Sequence, residues 1–533
     1  MGILVRLNAV GQECPTYILK LDKTLTQHQG THVPRSPEDC NCLVTSRLRC
    51  YSLESERPAT GIACLQSGVV MERLINLLVA VLVVSCFLLL ADWRHRNPGP
   101  SAWLEYDLNE HLGAEYDDIA RAIRSGRGFS DPFREETGPT AWMPPVLPYF
   151  QAFLYWLSGD NRATVVELIL SIEGIVIVFT GYLIVAEARL LGLWWLGCGI
   201  FVVALAVNFY DLFLITHDVW LNLAVANLIW LGLRKWPLAH GSSVLQSTSW
   251  GVLGGLSALC NPTLGAVWAV LIVHRMGSEI RTAAADRAMH WKRTLVPFVM
   301  ATLVSIVVVS PWVVRNRLVL GKWIPVKSNA TFEVWQSLCA DDDGLLDQNL
   351  QAVHPWSSGG ALRVRYRELG EVAFLDEKWP EVRAAFFHNP GDAMLRVLRR
   401  ASAALLYYRP LRSSDEETRP WPVFLKRVVH PLPFLAWLVL VVPGRKRRSP
   451  AATIAVWMFA VWIVPYILVS YYDRYAAPMI TLKVMLILHA IALLLPNRSR
   501  KMPDGRVMES RPGIVKSESS TALSVAPFRL PVG

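Results

Sequence analysis

Charge is scarce in this chain. Of its 533 residues, 18% are Asp, Glu, Lys or Arg, where a soluble domain carries about a quarter. Hydrophobic residues rise to 53% and fall in long blocks, which excludes a water-soluble protein and points to an all-α polytopic membrane protein. A disulfide framework is also missing. Cys14, Cys40, Cys42, Cys50 and Cys64 precede the first apolar block, Cys86, Cys198 and Cys260 lie within blocks, and Cys339 stands in polar sequence. The Cys40–Cys42 pair lacks the spacing of a zinc site. No apolar run opens the chain, so the leader of 1–70 does not read as a signal peptide. Its weak periodicity marks it as poorly ordered, and Met71, directly before the first span, offers an alternative start. Basic residues outnumber acidic ones, 53 against 43, but much of the excess sits in short loops and the tail ("GRKRR", "NRSRK"), where it orients spans. No nucleic-acid partner is expected.

Apolar stretches of about 20 residues are found at Glu72–Ala91, Thr164–Ala186, Trp194–Leu212, His217–Leu233, Gly251–His274, Leu295–Trp312, His430–Val442, Ala451–Ser470 and Tyr475–Leu495. The Gly251–His274 stretch is interrupted by "CNPT" and reads as two half-helices, bringing the expected count to about ten membrane segments. The basic segments His274–Arg293 and Gly444–Arg448 and the tail share the cytoplasmic side, which leaves loops of 92–163 and 313–429 on the outer one. The membrane domain is 71–496, and 497–533 reads as a basic, disordered cytoplasmic tail. Asp211, Glu167, Glu173 and Glu187 are the few acids in or near spans, mostly at their ends, which disfavours a transporter.

The first outer loop holds "EYDDIARAIRSG", an amphipathic helix with Glu115, Asp117 and Asp118 in its first turn, Arg121 and Arg124 at its end, and Gly126 as its stop. Such a helix can simply sit on a surface with its charges matched to the dipole. It can also hold a carboxylate at the membrane as a general base or metal ligand, with arginines near a phosphate. "MPPVLPYFQAFLYWLSG" follows. Its prolines make it a poor span, and Trp142, Pro144, Pro145, Tyr149, Tyr155 and Trp156 read as an interfacial platform lying flat in the headgroup zone. His217 and Asp218, at a span entry, are two candidate ligands for a divalent metal, without a third at a known spacing. Asn329-Ala330-Thr331 fits a glycosylation acceptor in a suitable host. Apolar positions through Arg363–Phe387 predict two or three helices in the second loop.

The run from Gly113 to Gly159, with "SPWVVRNRLVLGKWIPVKSNATFEVWQ" at Ser310–Gln336 and "YYDRYAAPM" at Tyr471–Met479, resembles the GT-C class of membrane glycosyltransferases. Protein O-mannosyltransferases and lipid A aminoarabinose transferases belong to that class, and bacterial members of glycosyltransferase family 39 are similar. The three motifs keep the family's order over about 72–495.

The resemblance implies transfer of a sugar from a polyprenyl-phosphate donor to an acceptor at the outer face of a plasma membrane, with inversion. The acceptor, whether protein, lipid or glycan, is not identified by any motif. A first-loop carboxylate would be the base. The adjacent Asp-Glu pair of many members is replaced here by "NEHLGAEYDD", so Glu115 is preferred, then Glu110, then Asp118, with Asp107 behind them. Arg474 is the leading candidate for the donor phosphate, followed by Arg315, Arg317 and Arg121, while Lys322 and Lys327 read as solvated. A transporter or flippase, or a polymerase or ligase of polyprenyl-linked glycans, is the alternative.

Overall fold

A computed structural model describes residues 60–96, 112–214, 217–285, 291–340, 343–346, 353–356, 360–411, 414–442 and 448–495. Among them the chain is helical, with only the isolated bridges Ser130–Pro139 and Phe133–Glu135 in place of strands. Six helices are long and apolar enough to cross a membrane: Val70–Ala91, Arg162–Leu190, Thr294–Leu320, Pro420–Val441, Pro450–Leu468 and Asp473–Leu494. The remaining expected segments are not all of that kind; Trp194–Val207, for instance, has 14 residues. Glu110 and Asp107, residues 1–59 of the leader of 1–70 and the tail beyond 495 lie outside the described residues, while residues 60–70 of that leader belong to the first helix.

We label the helices in chain order: α1 Thr60–Arg96, α2 Ala114–Arg124, α3 Val146–Leu157, α4 Arg162–Leu190, α5 Trp194–Val207, α6 Val219–Lys235, α7 Val244–Cys260, α8 Pro262–Ala285 and α9 Trp291–Leu320. After these come α10 Ala330–Cys339, α11 Ala361–His388, α12 Pro390–Leu405, α13 Ser414–Thr418, α14 Pro420–Val429, α15 Leu432–Val441, α16 Pro450–Leu468 and α17 Ile480–Leu494. A π turn at Tyr210–Leu214 precedes α6, and a 3-10 turn at Asp473–Met479 leads into α17.

One span assignment is corrected. The Gly251–His274 stretch divides at Asn261-Pro262 into two helices, as the NP break predicts, and these extend beyond it to Val244 and Ala285. Asn261 is extended and caps Thr263 N–H at 2.9 Å, and α7 and α8 fold back on each other, bringing Gly254 against Trp268 and Gly265 against Ala258. Pro262 starts the second helix because its missing N–H is one the first turn leaves unpaired anyway. The span expected from His430 begins earlier, at Pro420, where α14 and α15 form one apolar stretch. Lys426 and Arg427 had masked it. Lys426 turns inward and is 9% exposed, so its charge does not meet lipid.

Polar pins fix the bundle. Asn227 Nδ2 donates to Thr180 Oγ1 at 2.8 Å and its Oδ1 accepts from Thr481 at 2.7 Å, tying α4, α6 and α17. Glu187 accepts from Arg234 at 2.5 Å and lies 3.1 Å from His489 Nε2. Such bonds satisfy groups that lipid could not.

Small residues bring α7 onto α9. A Cβ on Gly251 would stand 2.5 Å from the Ala301 carbonyl oxygen, and one on Gly255 would stand 2.5 Å from Val308 Cβ and 2.9 Å from the Ser305 carbonyl oxygen. This is close backbone packing of the kind small residues permit in membranes. Gly255→Ala should therefore force the helices apart and cost about 1–3 kcal/mol. Gly199→Ala, where nothing lies within 4 Å of the added carbon, should be neutral. Thermal unfolding of the two variants in detergent checks the contrast.

Candidate functional site

The sharp turn into α2 comes from Gly113, whose φ of +71° suits glycine and brings the chain against Tyr116 and His217. On α2, Asp117 is buried. It accepts from Tyr155 OH at 2.5 Å and faces Arg162 at 3.5 Å. Arg121 reaches the same carboxylate only at 3.9 Å and is 61% exposed, so the structure places it on the surface. Asp118 accepts from Arg134 N–H at 2.8 Å and Trp356 Nε1 at 3.0 Å, while the Arg134 guanidinium lies 3.6 Å above that indole. Asp118 is thus a clasp between the outer segments. Burial raises its carboxyl to about 6, against which the two donated bonds pull.

Glu115 faces a different set of groups. His354 Nε2 is 3.6 Å from its Oε1. Trp356 N–H donates to His354 Nδ1 at 3.2 Å, so the ring proton resides on Nε2 and points at Glu115. Burial among aromatic rings lowers His354 to about 4 and keeps it neutral; Phe332 meets it edge-on at 5.4 Å and Phe133 at 5.9 Å. Burial also raises Glu115, while the charges of Arg474 and Lys327 act to lower it and that of Asp218 adds to the rise. These four charged groups, from four separate segments, form one electrostatic neighbourhood.

Arg474 enters from the 3-10 turn. It donates to His217 Nδ1, lies 5.2 Å from the Tyr472 ring and 6.0 Å from the Tyr475 ring, and its buried Nε has no partner. A local pair with its neighbour Asp473 is the obvious alternative. Instead Asp473 is taken by Lys426, which also holds Asp211 at 3.2 Å, with His430 Nδ1 3.7 Å away on the other side. Tyr466 stacks on Tyr475 at 4.7 Å and completes a tyrosine wall.

His217 and Asp218 are both engaged with protein groups. His217 accepts from Arg474, and Asp218 accepts from Asn222 at 2.7 Å and from Tyr116. Among the described residues no three His, Cys, Asp or Glu side chains are grouped to hold a metal ion. His217 does carry a φ of 37°, uncommon for a residue with a side chain.

Arg315 and Arg317 are placed apart from Glu115. Arg315 donates to the carbonyls of Phe129 at 2.7 Å and Thr140 at 2.6 Å, clasping the first loop, and Arg317 donates to Gly321 at the exposed end of α9. Lys322 pairs with exposed Asp376 at 2.5 Å. Lys327, expected to be solvated, is half-buried, and its charge acts on both Glu115 and Asp218.

The interfacial platform is corrected in four of its six members. Trp142 is 0% exposed and packs on Phe133, Phe332 and Tyr366, and Pro144, Pro145 and Tyr155 are buried too. They serve as core because Glu371 anchors this stretch, accepting from Thr140, Ala141 N–H at 2.9 Å and Tyr366 OH at 2.8 Å. Tyr149, Phe153 and Trp156 form the exposed stripe of α3, on the face opposite Leu147, Gln151 and Leu154.

Local sequence did not mark His354, Lys327 or Glu333, whose charge reaches His354 and the tyrosines. Nothing distinguishes Lys327 from Lys322 nearby. A lone histidine beside Pro355 and Trp356 was the one available signal. No family model, curated protein or solved structure matches the chain.

Two outcomes are expected. Lys426→Ala leaves two buried carboxylates uncompensated, at a cost of about 3–5 kcal/mol. Adding Asp473→Asn should recover part of that loss, as read by thermal unfolding. Because burial raises Asp118, its protonated form is favoured by folding. The stability it contributes is full below 3.8 and is lost as pH rises through about 6. Relative to Asp118→Asn, the wild type should therefore lose stability over that window and change little above it.

Proposed function

We propose that this protein is a GT-C-type membrane glycosyltransferase that moves a sugar from a polyprenyl-phosphate donor to an acceptor at the outer membrane face, with inversion. The observation that carries the reading is Glu115: a desolvated carboxylate oriented by neutral His354 and faced by Arg474 and Lys327. In this reading the acceptor hydroxyl attacks the anomeric carbon and its proton passes to Glu115. The bond from that carbon to the phosphate oxygen breaks, and the phosphate leaves with the electron pair. Arg474, with its free Nε and a histidine holding one arm, stabilises the charge that gathers on the leaving oxygen. Lys327 adds a second cation from the opposite segment. The tyrosine wall lets the sugar approach without competing water. Sidedness follows the basic loops, and the resemblance favours a bacterial plasma membrane.

A second reading draws on a specific observation. Lys426, Asp211, Asp473 and the partly buried Lys483 lie together within or beside helices apolar enough to span. Ionisable groups at such depth are also found along transport paths. A flippase would move labelled carrier between leaflets with no sugar transferred.

The test is sugar transfer or slow donor hydrolysis by purified protein in lipid, across a panel of radiolabelled polyprenyl-phosphate sugars. Glu115→Gln should lower turnover by about 10²–10⁴-fold with folding intact, and Arg474→Ala should abolish productive donor use. The base must be ionised, and burial raises Glu115 from 4.5. Turnover should therefore fall as pH drops through a range above that of an ordinary glutamate. Full activity in Glu115→Gln would shift the base to Glu110 or Asp118.

A further inference from the structure

Helix α12 is built inside out. Its buried side carries Arg396 and Arg400, and Arg400 is only 1% exposed. Its outward side carries Met394 at 59% and Leu398 at 58%, with Leu395 between them. In the last helical turn of α11, just before it, Phe386 and Phe387 are both exposed, Phe387 at 70%. A helix on a protein surface in water shows the reverse pattern, with charge outward and an apolar stripe inward.

The buried arginines are fully occupied. Arg400 donates Nε to the Ile467 carbonyl at 2.8 Å, Nη2 to Leu468 at 3.1 Å and Nη1 to Gly344 at 3.2 Å. Arg396 donates to Asp392 at 2.7 Å and to the Ser337 carbonyl at 3.4 Å. Ile467 and Leu468 are the last residues of the candidate span Pro450–Leu468. Their carbonyls are among the acceptors that a helix end leaves unpaired, so α12 lies level with the end of a span. Helix α14, whose following residue His430 meets the Ala403 carbonyl of α12 at 2.8 Å, repeats the pattern within a second candidate span. Trp421, Phe424, Leu425 and Val428 face outward while Lys426 turns in.

From this we propose that α12 and the Phe386–Phe387 turn form a lipid-docking surface, seated in the boundary of the bilayer, with exposed Arg383 and Arg399 reaching lipid phosphates. Apolar side chains facing hydrocarbon and arginines satisfying carbonyls are both favourable there. The surface lies beside α14, whose outward side chains are apolar in the same way. It removes α12 from the region available for acceptor recognition and does not depend on the glycosyltransferase reading.

The experiment places a genetically encoded benzophenone residue at Phe387, Met394 or Leu398 of the full chain in nanodiscs of phosphatidylcholine and phosphatidylglycerol. Leu303, exposed on the span Thr294–Leu320, is the lipid control, and exposed Glu368 is the water control. Lipid adducts at the level of Leu303, read by intact mass, are expected. Adducts to a second copy of the chain, or none above the level of Glu368, would overturn the proposal. In the unsubstituted chain, Met394 should resist hydroxyl-radical oxidation in the nanodisc, and ready conversion to the sulfoxide there counts equally against it.

Discussion

Lys426 holds Asp211 and Asp473 together, and the position of Arg474 follows from that. The three acidic and basic groups come from α14, the π turn and the 3-10 turn, segments distant in sequence that lipid or low-dielectric protein would otherwise force apart. An ionised carboxylate left alone at this depth is costly. With Lys426 in place, Asp473 is neutralised by a residue other than its chain neighbour. Arg474 then turns to His217 and keeps Nε free. The arginine that faces Glu115 is thus available because a buried lysine has taken the nearest competing acid.

The same constraint, that no charge or backbone group in a dry environment goes unpartnered, recurs across the molecule. Glu371 draws three donors and fixes the backbone on which Trp142 sits. Arg315 closes on two carbonyls of the same loop, and Arg400 closes on the last carbonyls of a span. Each is a charged side chain spent on positioning. By contrast, Glu115 contacts a neutral histidine and lies within the field of cations without a closed ion pair.

Parts of this were legible in the chain itself. Alternation of acids and arginines around Gly113 and Gly126 specified α2, because caps and dipole effects act within one turn. The stripe of Tyr149, Phe153 and Trp156 follows from helical spacing alone. The long apolar blocks identified a multi-pass membrane protein. Where hydropathy misread the chain, the cause was local. Lys426 and Arg427 hid the first half of a span, and "CNPT" marked a break between two helices without showing that they fold back on each other, since neither the destination of a side chain nor the direction of the next helix is encoded in a window of sequence.

Helical character, membrane residence and the charge pattern of α2 were therefore determined by the sequence through short-range forces: solvation of side chains, backbone hydrogen bonding within a segment, and capping. Only the tertiary structure decided which charges meet. Glu115, His354, Lys327 and Arg474 are separated by up to several hundred residues, and Asp118 and Glu115, three positions apart on one helix, are given a clasp and an open carboxylate respectively. The outward face of α12 was decided in the same way. Arg400 turns inward onto carbonyls that the end of α16 leaves unpaired.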